Sequence, residues 1–348
     1  MLHVGLDLCR SRVDVSVLDP QGGRLLTTTA CPDAGGLASL AQRVSVLPGA
    51  GEVRAAIESM TGARFVRDAL QDIGWEVLVA DAARAKRLAP LACKTDRIDA
   101  WVLAELSRRD LVPAIWLPGP GVRQERERAR WRLHLVKHRS MLKHRIHSTL
   151  MTFGVPTKTS DLFGVAGRET LARLGLPEPW AADVTASLRL IDILDGEIDG
   201  CERELRRLGA DHRYVPRLMS APGIAWVLGY TIAAEIGDIT RFPTSTKLVG
   251  YTGLCPRVHQ SGTKDHRGPL TKAGPKYLRW ALIQAATHAG THPAYRVRYQ
   301  RTKTRLGRNR GPSVARVELA RDLTHAIWHM LTGNQDFAPA GAANDLVA

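Results

Sequence analysis

The chain has 348 residues, a length that suits about two domains with a substantial core. Its 49 Lys and Arg against 34 Asp and Glu leave a net charge of +15 and a pI near 10.1, which favours a polyanionic partner, nucleic acid ahead of an anionic membrane surface. No apolar run is long enough to span a bilayer, since the longest, Gly223 to Gly237, is broken by Glu235. The first residues lack the basic and apolar regions of a secretory signal, and the five cysteines are odd in number and dispersed, with no CxxC. Both features predict a cytoplasmic protein with reduced thiols and no zinc site. His288/His292 and His325/His329 are spaced four apart but have no nearby Cys or acid to complete a metal site.

Residues 2–8, 12–18 and 24–30 carry apolar and β-branched side chains, separated by Cys9-Arg10-Ser11 and by Asp19-Pro20-Gln21-Gly22-Gly23, which predicts two successive hairpins. A helix over 35–47, a strand over 52–57, a helix over 62–73, a strand from Glu76 to Ala80 and a short helix over 82–88 follow. Antiparallel strands followed by alternating helix and strand predict a mixed sheet with helices on its faces. Thr95 suits the N-cap of a further helix through Arg109, with Asp96 in its first turn. Pro113, Pro118 and Pro120, with Gly119 and Gly121, mark a linker that closes a first domain over 1–118.

A basic helical region is expected over 119–210. Residues 119–150 hold nine Lys or Arg, two Glu and four His. Residues 156–180 read as irregular, and a second long helix is expected over 184–208. Its apolar residues Ile191, Leu194, Ile198, Cys201, Leu205 and Leu208 are spaced 3, 4, 3, 4, 3, which fits a coiled-coil seam and equally an amphipathic core helix. Paired with 122–150, it could also contact a second copy. A mostly helical domain is expected over 211–336, then a disordered tail over 337–348, rich in Ala, Gly and Pro. Met219-Ser220-Ala221-Pro222-Gly223-Ile224 separates two helices, either as a plain connection or as a turn whose free N–H groups face a phosphate.

Four acids carry the strongest chemical signal. Asp7 interrupts the apolar run Val4-Gly5-Leu6-Asp7-Leu8, and Glu58 closes the strand that begins at Val53. Asp96 and Asp99 lie at i and i+3 in Lys94-Thr95-Asp96-Arg97-Ile98-Asp99-Ala100, on one helical face. Each alone reads as a surface group or cap. Together they suggest a cluster, because a carboxylate buried in an apolar strand is costly and paired carboxylates repel unless a proton or cation intervenes. Mg²⁺ is the expected cation, held by carboxylates, water and substrate phosphate.

From Arg257 to Arg310 there are thirteen Lys or Arg and one acid, Asp265. An unbalanced run of this kind predicts contact with nucleic-acid phosphates. Ser261 lies inside it, in Cys255-Pro256-Arg257-Val258-His259-Gln260-Ser261-Gly262-Thr263-Lys264. A Ser before Gly in a polar loop is ordinarily a turn. Here Arg257, Lys264, Arg267, Lys272 and Lys276 surround it in sequence and could clamp a phosphodiester. Arg279, Arg296, Arg298, Arg301, Lys303 and Arg305, with Lys137 and Lys143 of the earlier basic helix, complete the candidate nucleic-acid contacts. A serine nucleophile needs activation, which must come from elsewhere in the fold or from another subunit.

At these residues the chain resembles the DEDD-type transposases of the bacterial insertion-sequence-110 family. The first block of resemblance runs from Gly5-Leu6-Asp7 through Ile57-Glu58 to Lys94-Thr95-Asp96-Arg97-Ile98-Asp99-Ala100. The second runs from Ala221-Pro222-Gly223-Ile224 through Gly250-Tyr251-Thr252-Gly253-Leu254 and Gln260-Ser261-Gly262 to Thr271-Lys272-Ala273-Gly274-Pro275-Lys276-Tyr277-Leu278-Arg279. The resemblance implies an RNase H-like (RuvC-like) α/β domain, a helical coiled-coil insertion and a mostly helical C-terminal transposase domain. It implies that Asp7, Glu58, Asp96 and Asp99 bind Mg²⁺ and that Ser261 attacks DNA to give a covalent phosphoserine. It further implies a homo-oligomer, dimer or tetramer, with carboxylates and serine contributed by different subunits, and a structured non-coding guide RNA held with the DNA. The chain has Ala225-Trp226 where the family commonly has a second glycine.

Three other readings compete. A RuvC-like junction nuclease would use the same acids with water as nucleophile. An actin-like ATPase or sugar kinase shares the opening Gly-Leu-Asp but wants glycine where Cys9 stands, and no P-loop follows. A non-catalytic binder would explain the charge and leave the acids without a role.

Overall fold

The computed structural model describes residues 1–88, 95–156, 161–262 and 264–339, in two compact units, Met1–Leu117 and Pro118–Ala348. In the first unit, β1 (Leu2–Leu8), β2 (Val13–Leu18) and β3 (Arg24–Ala30) form an antiparallel meander, followed by α1 (Ala34–Ser45), β4 (Val53–Glu58), α2 (Ala63–Asp72), β5 (Glu76–Ala80), α3 (Ala82–Leu88) and α4 (Asp96–Arg108). The sheet order is β3-β2-β1-β4-β5, with β4 and β5 parallel to β1. This mixed sheet agrees with the RNase H-like α/β domain expected. Period-2 alternation divides β1 between two faces. Leu2, Val4, Leu6 and Leu8 join the core beneath α1 and α2, with Leu37, Leu40, Val66 and Leu70. The odd-numbered residues face α4. Residues 113–115, expected as linker, are pinned to the sheet: Ile115 N donates to Val79 O at 2.8 Å and Asp81 N to Pro113 O at 3.0 Å. They cover the edge of β5, which would otherwise present unpaired backbone.

Gly5 sets the distance between α4 and β1. A Cβ there would stand 1.7 Å from the Ala100 carbonyl oxygen and 2.5 Å from Ala104 N. The helix therefore lies directly on the strand backbone and runs antiparallel to it. Its C-terminal end meets His3, whose Nδ1 lies 3.2 Å from Ser107 Oγ, and its N-terminal end comes up beside Asp7. Gly5→Ala should destabilise the chain by about 3 kcal/mol or more, the upper range of overpacking costs. It should also part Asp96 and Asp99 from Asp7, and the fall in the denaturant unfolding midpoint measures the loss of stability.

The second unit begins with α5 (Pro120–Thr152), α6 (Val165–Arg173) and α7 (Trp180–Ala210). The expected irregular stretch 156–180 thus contains a helix, whose Leu171 packs with Ile146, Leu150, Leu162, Val184 and Ile191 in a small separate core. α5 and α7 form an antiparallel pair. Ile191, Ile198 and Leu205 are buried, while Leu194, Cys201 and Leu208 are half-buried, so the sequence seam is the packed face.

The remaining elements are α8 (Val215–Leu218), α9 (Trp226–Ile236), a 3₁₀ turn (Ile239–Arg241), α10 (Ser245–Thr252), β6 (Pro256–Ser261), β7 (Lys264–Leu270), α11 (Lys276–Ala289), α12 (Pro293–Arg305) and α13 (Gly307–Thr332). α9, apolar nearly all round, and the buried faces of α11 and α13 supply most of the core. Phe337 is anchored, its N donating to Ser220 Oγ at 2.8 Å, so the expected tail does not start there; residues 340–348 lie outside those described. Among the described residues no helix is long and apolar enough to cross a membrane.

Candidate active site and nucleic-acid surface

The fold brings the four acids of the first unit together. Asp7 stands at the end of β1 on the α4 face, two residues beyond Gly5. Glu58 ends β4 two residues beyond Ala56, which packs under Leu103 and Leu106 of α4. Asp96 and Asp99 occupy the first turn of α4, where the macrodipole favours negative charge. Thr95 caps that helix, its Oγ1 accepting from Ile98 N at 3.3 Å. Burial and then the charges of Asp99, Asp96, Glu58 and Asp14, in that order, push the Asp7 carboxyl up to about 6.

Asp14 is a fifth member that the sequence reading missed. It is the cross-strand partner of Asp7 in the β1–β2 pairing and only 1% exposed. Arg12 Nε donates to its Oδ2 at 2.8 Å, and Arg12 Nη2 reaches Asp96 Oδ2 at 3.0 Å. A buried carboxylate is retained where it is paired, and here the pair aims one guanidinium across the mouth of the acid cluster. The signal in sequence was an Asp at the second position of an apolar strand opposite Asp7, visible only once the hairpin register is known.

Among the described residues no three His, Cys, Asp or Glu side chains stand close enough together to hold a metal ion as arranged, and Asp96 is engaged by Arg12. The donor set is nonetheless chemically suited to a hard divalent cation: all oxygen, and one carboxyl raised by burial and then by four like charges.

The polar segment around Ser261 is a strand rather than the expected loop. β6 and β7 form an antiparallel ribbon in which Ser261 pairs with Lys264 at the turn end and Pro256 with Leu270 at the base. The described residues of β7 are exposed except Leu270, so no apolar alternation announced the ribbon in the sequence. Ser261, Arg257, Lys264 and Arg267 are all exposed. Asp265 is engaged by Arg267 at 3.1 Å. Backbone bonds tie the ribbon's base to the ends of α10 and α11: Thr271 N to Cys255 O at 2.8 Å and Lys272 N to Gly253 O at 3.1 Å. Arg279, expected to touch nucleic acid, turns inward and donates from Nη1 to the carbonyls of Thr252 and Lys272, both at 3.2 Å. It braces the serine ribbon. Lys272 and Lys276 are exposed beside it, Lys276 Nζ lying 5.0 Å from the Tyr277 ring centroid.

Much of the basic helix α5 is neutralised within the fold. Arg128 pairs with Glu204, Arg132 with Glu202, Arg139 with Asp195 and Arg145 with Asp183, a ladder along α7. Arg130 donates to both oxygens of the fully buried Glu235, at 2.7 and 3.0 Å, and Arg126 to the Ala234 and Glu235 carbonyls. The sequence count of charge on α5 could not see partners dozens of residues away. Lys137 is exposed, and Lys143 lies over the Phe163 ring, 4.7 Å from its centroid. Arg296, Arg298, Arg301, Lys303 and Arg305 are exposed on α12.

The Pro222-Gly223 turn has a packing reason. Gly223 has φ of 78°, and a Cβ there would stand 2.3 Å from the Ala285 carbonyl oxygen. The glycine lets the turn press on α11, and α9 begins three residues later without a side-chain cap.

A mixed α/β sheet with acids near one another in the first unit, and a second unit carrying exposed cations, are the features of a protein that handles nucleic-acid strands. Two family models match the chain. One of IS110-type DEDD enzymes, described as "Transposase", covers residues 4–154; the other, described as "Transposase IS116/IS110/IS902 family", covers residues 215–300. The protein belongs to the IS110 family of transposases and is a DNA transposase/recombinase. The transposase of insertion sequence element IS1328 from Yersinia enterocolitica is 28% identical over 240 residues, 66% of this chain and 69% of that protein. The transposase of IS1111A from Coxiella burnetii is 28% identical over 259 residues, 70% and 68% of the two chains. A pilin gene-inverting protein of Moraxella bovis is 28% identical over 216 residues, 61% and 59% of the two.

Proposed function

We propose that the protein cuts and rejoins DNA of its insertion sequence through the acid cluster, with Mg²⁺, and through Ser261 as nucleophile. The observation that supports this reading is that Asp99, Asp96 and Glu58 lie near enough to Asp7 for their charges to raise its carboxyl, with α4 pressed against β1 at Gly5. Those four side chains would hold the cation, which when bound would offset charge developing on the reacting phosphate. Asp14 orients Arg12, whose guanidinium offsets part of the cluster's charge in the free protein and can meet a phosphate oxygen at the site mouth. Ser261 Oγ displaces a DNA oxygen at phosphorus, giving a serine phosphodiester and a free DNA hydroxyl. Rejoining is the reverse displacement by a DNA hydroxyl, so the bond is conserved without hydrolysis. The ribbon's exposed Arg257 and Lys264 suit a phosphate on the strand that Ser261 attacks.

The family resemblance supports two further parts: contribution of acids and serine by different copies in a homo-oligomer, and selection of DNA by a structured non-coding RNA. The net charge of +15 suits both polymers. The test is incubation of the protein with element-end DNA, Mg²⁺ and the element's RNA, followed by denaturing separation of protein-linked DNA. A DNA-linked species that depends on all three supports the reading. Cleavage that leaves no linked species, at any time of sampling, favours water as nucleophile and a RuvC-like junction nuclease.

A further inference from the structure

We propose that the cleft between α12 and α13 is a cradle for backbone phosphates of a nucleic acid, a site separate from the serine ribbon. The proposal rests on the reading that this protein handles nucleic acid. Arg298, Arg301, Thr302 and Arg305 on α12 face Glu318, Arg321, Asp322 and His325 on α13 across a space of about 420 Å³. On each helix these residues recur three or four apart, so each set forms one row.

The acids of the cleft are already used. Thr302 donates to Glu318 at 2.8 Å, Arg305 lies 4.0 Å from Glu318, and Arg298 bridges Asp322 at 2.8 Å. Among the described residues Arg301 and Arg321 pair with no carboxylate. Arg321 Nε is shut off from solvent and has no hydrogen-bond partner, so contact with a phosphate in the cleft falls to the rest of its guanidinium. His325 Nδ1 lies 2.9 Å from Ser245 Oγ, which fixes the ring at the rim. Four guanidinium groups around two carboxylates leave a surplus of two positive charges, and guanidinium forks match phosphate oxygens.

Among the described residues no Phe, Tyr or Trp lines this space, and the one imidazole, His325, is held by Ser245. Tyr295 and Tyr299 stand instead in the adjoining small void, with Ala315 and Leu319. A pocket for an unstacked base wants an aromatic platform; a guanidinium-lined trough wants phosphate.

The experiment measures binding of a random-sequence DNA duplex and of a single-stranded RNA across a salt series. It compares wild type, the cleft pair Arg301→Gln/Arg321→Gln, and a control pair Arg296→Gln/Lys303→Gln, which removes the same charge from exposed positions of α12 outside the cleft. The cleft pair should flatten the plot of log affinity against log salt by about 1–2 and weaken binding about tenfold at fixed salt, more than the control does. Loss with duplex alone assigns the cleft to DNA, loss with RNA alone to RNA. Arg301→Gln by itself changes an exposed residue and should still flatten the slope by about 1, which keeps the test open if the double variant misfolds. Equal losses from cleft and control pairs, or no loss, overturn the cradle while leaving the proposed function in place. A wild-type protein that binds neither polymer overturns that function as well.

Discussion

Asp7→Asn should abolish metal-dependent cleavage, by about 10³-fold or more, while making the metal-free chain more stable. The first effect follows from removing the carboxylate at the centre of the acid cluster, and several kcal/mol of lost charge stabilisation corresponds to that factor. The second follows from the Asp7 carboxyl, raised to about 6 by burial and by Asp99, Asp96, Glu58 and Asp14. Its ionised form is disfavoured in the folded state. Between the unfolded value of 3.8 and about 6 the folded chain binds the extra proton, so stability is full below that window and falls as pH rises through it. The asparagine lacks this penalty. Allowing for solvent screening, the gain at pH 8 should be about 1–2 kcal/mol. Thermal melts in chelator at pH 5 and pH 8 measure it: wild type should lose stability between the two from this group, and the variant should not. A variant no more stable than wild type at pH 8 would show that the Asp7 carboxyl carries no penalty in the folded chain.

Ser261→Ala should remove the protein–DNA adduct entirely and lower strand cleavage about 10⁴-fold or more, the scale seen when a covalent nucleophile is deleted. DNA binding should be retained, because the exposed cations of β6–β7 and α12 are untouched. Ser261 is exposed at the turn end of the ribbon, so the substitution leaves no cavity and the melting midpoint should stay within error. Retained binding, retained fold and absent adduct together would isolate the chemistry at one oxygen. A Ser261→Ala protein that still cuts and joins at the normal rate would remove the serine from the mechanism and leave the acids to act with water.

The first unit was legible because its signals are local. Residues 2–8, 24–30, 76–80 and 82–88 are the elements found, and other limits moved by one or two residues. Thr95 caps α4 as its position before Asp96 suggested. The places of the four acids were legible for the same reason: Asp7 interrupts a strand, Glu58 closes one, and Asp96 and Asp99 share the first turn of a helix. Asp14 and Arg12 were not, because their meaning depends on a register between strands and not on either strand's own pattern. Around Ser261, a ribbon exposed on both faces carries no alternation to read. Arg279 looked like one more cation in a basic run, and only the backbone carbonyls of Thr252 and Lys272, brought to it by the fold, reveal it as a brace. The charge of α5 misled most, since a local sum takes no account of Glu202, Glu204, Asp195 and Asp183 on a helix far along the chain.

That ladder has a consequence for how the protein avoids indiscriminate attachment. The acidic row of α7 should act as a tethered decoy, since it already pairs with the arginines of α5 that a passing polyanion would seek. A chain cut short ahead of Trp180 would shed the decoy and present a bare polycationic rod, which should cling to heparin and bulk RNA alike. With the decoy in place, attraction should fall to the exposed cations of β6–β7 and α12, the positions proposed for strand contact.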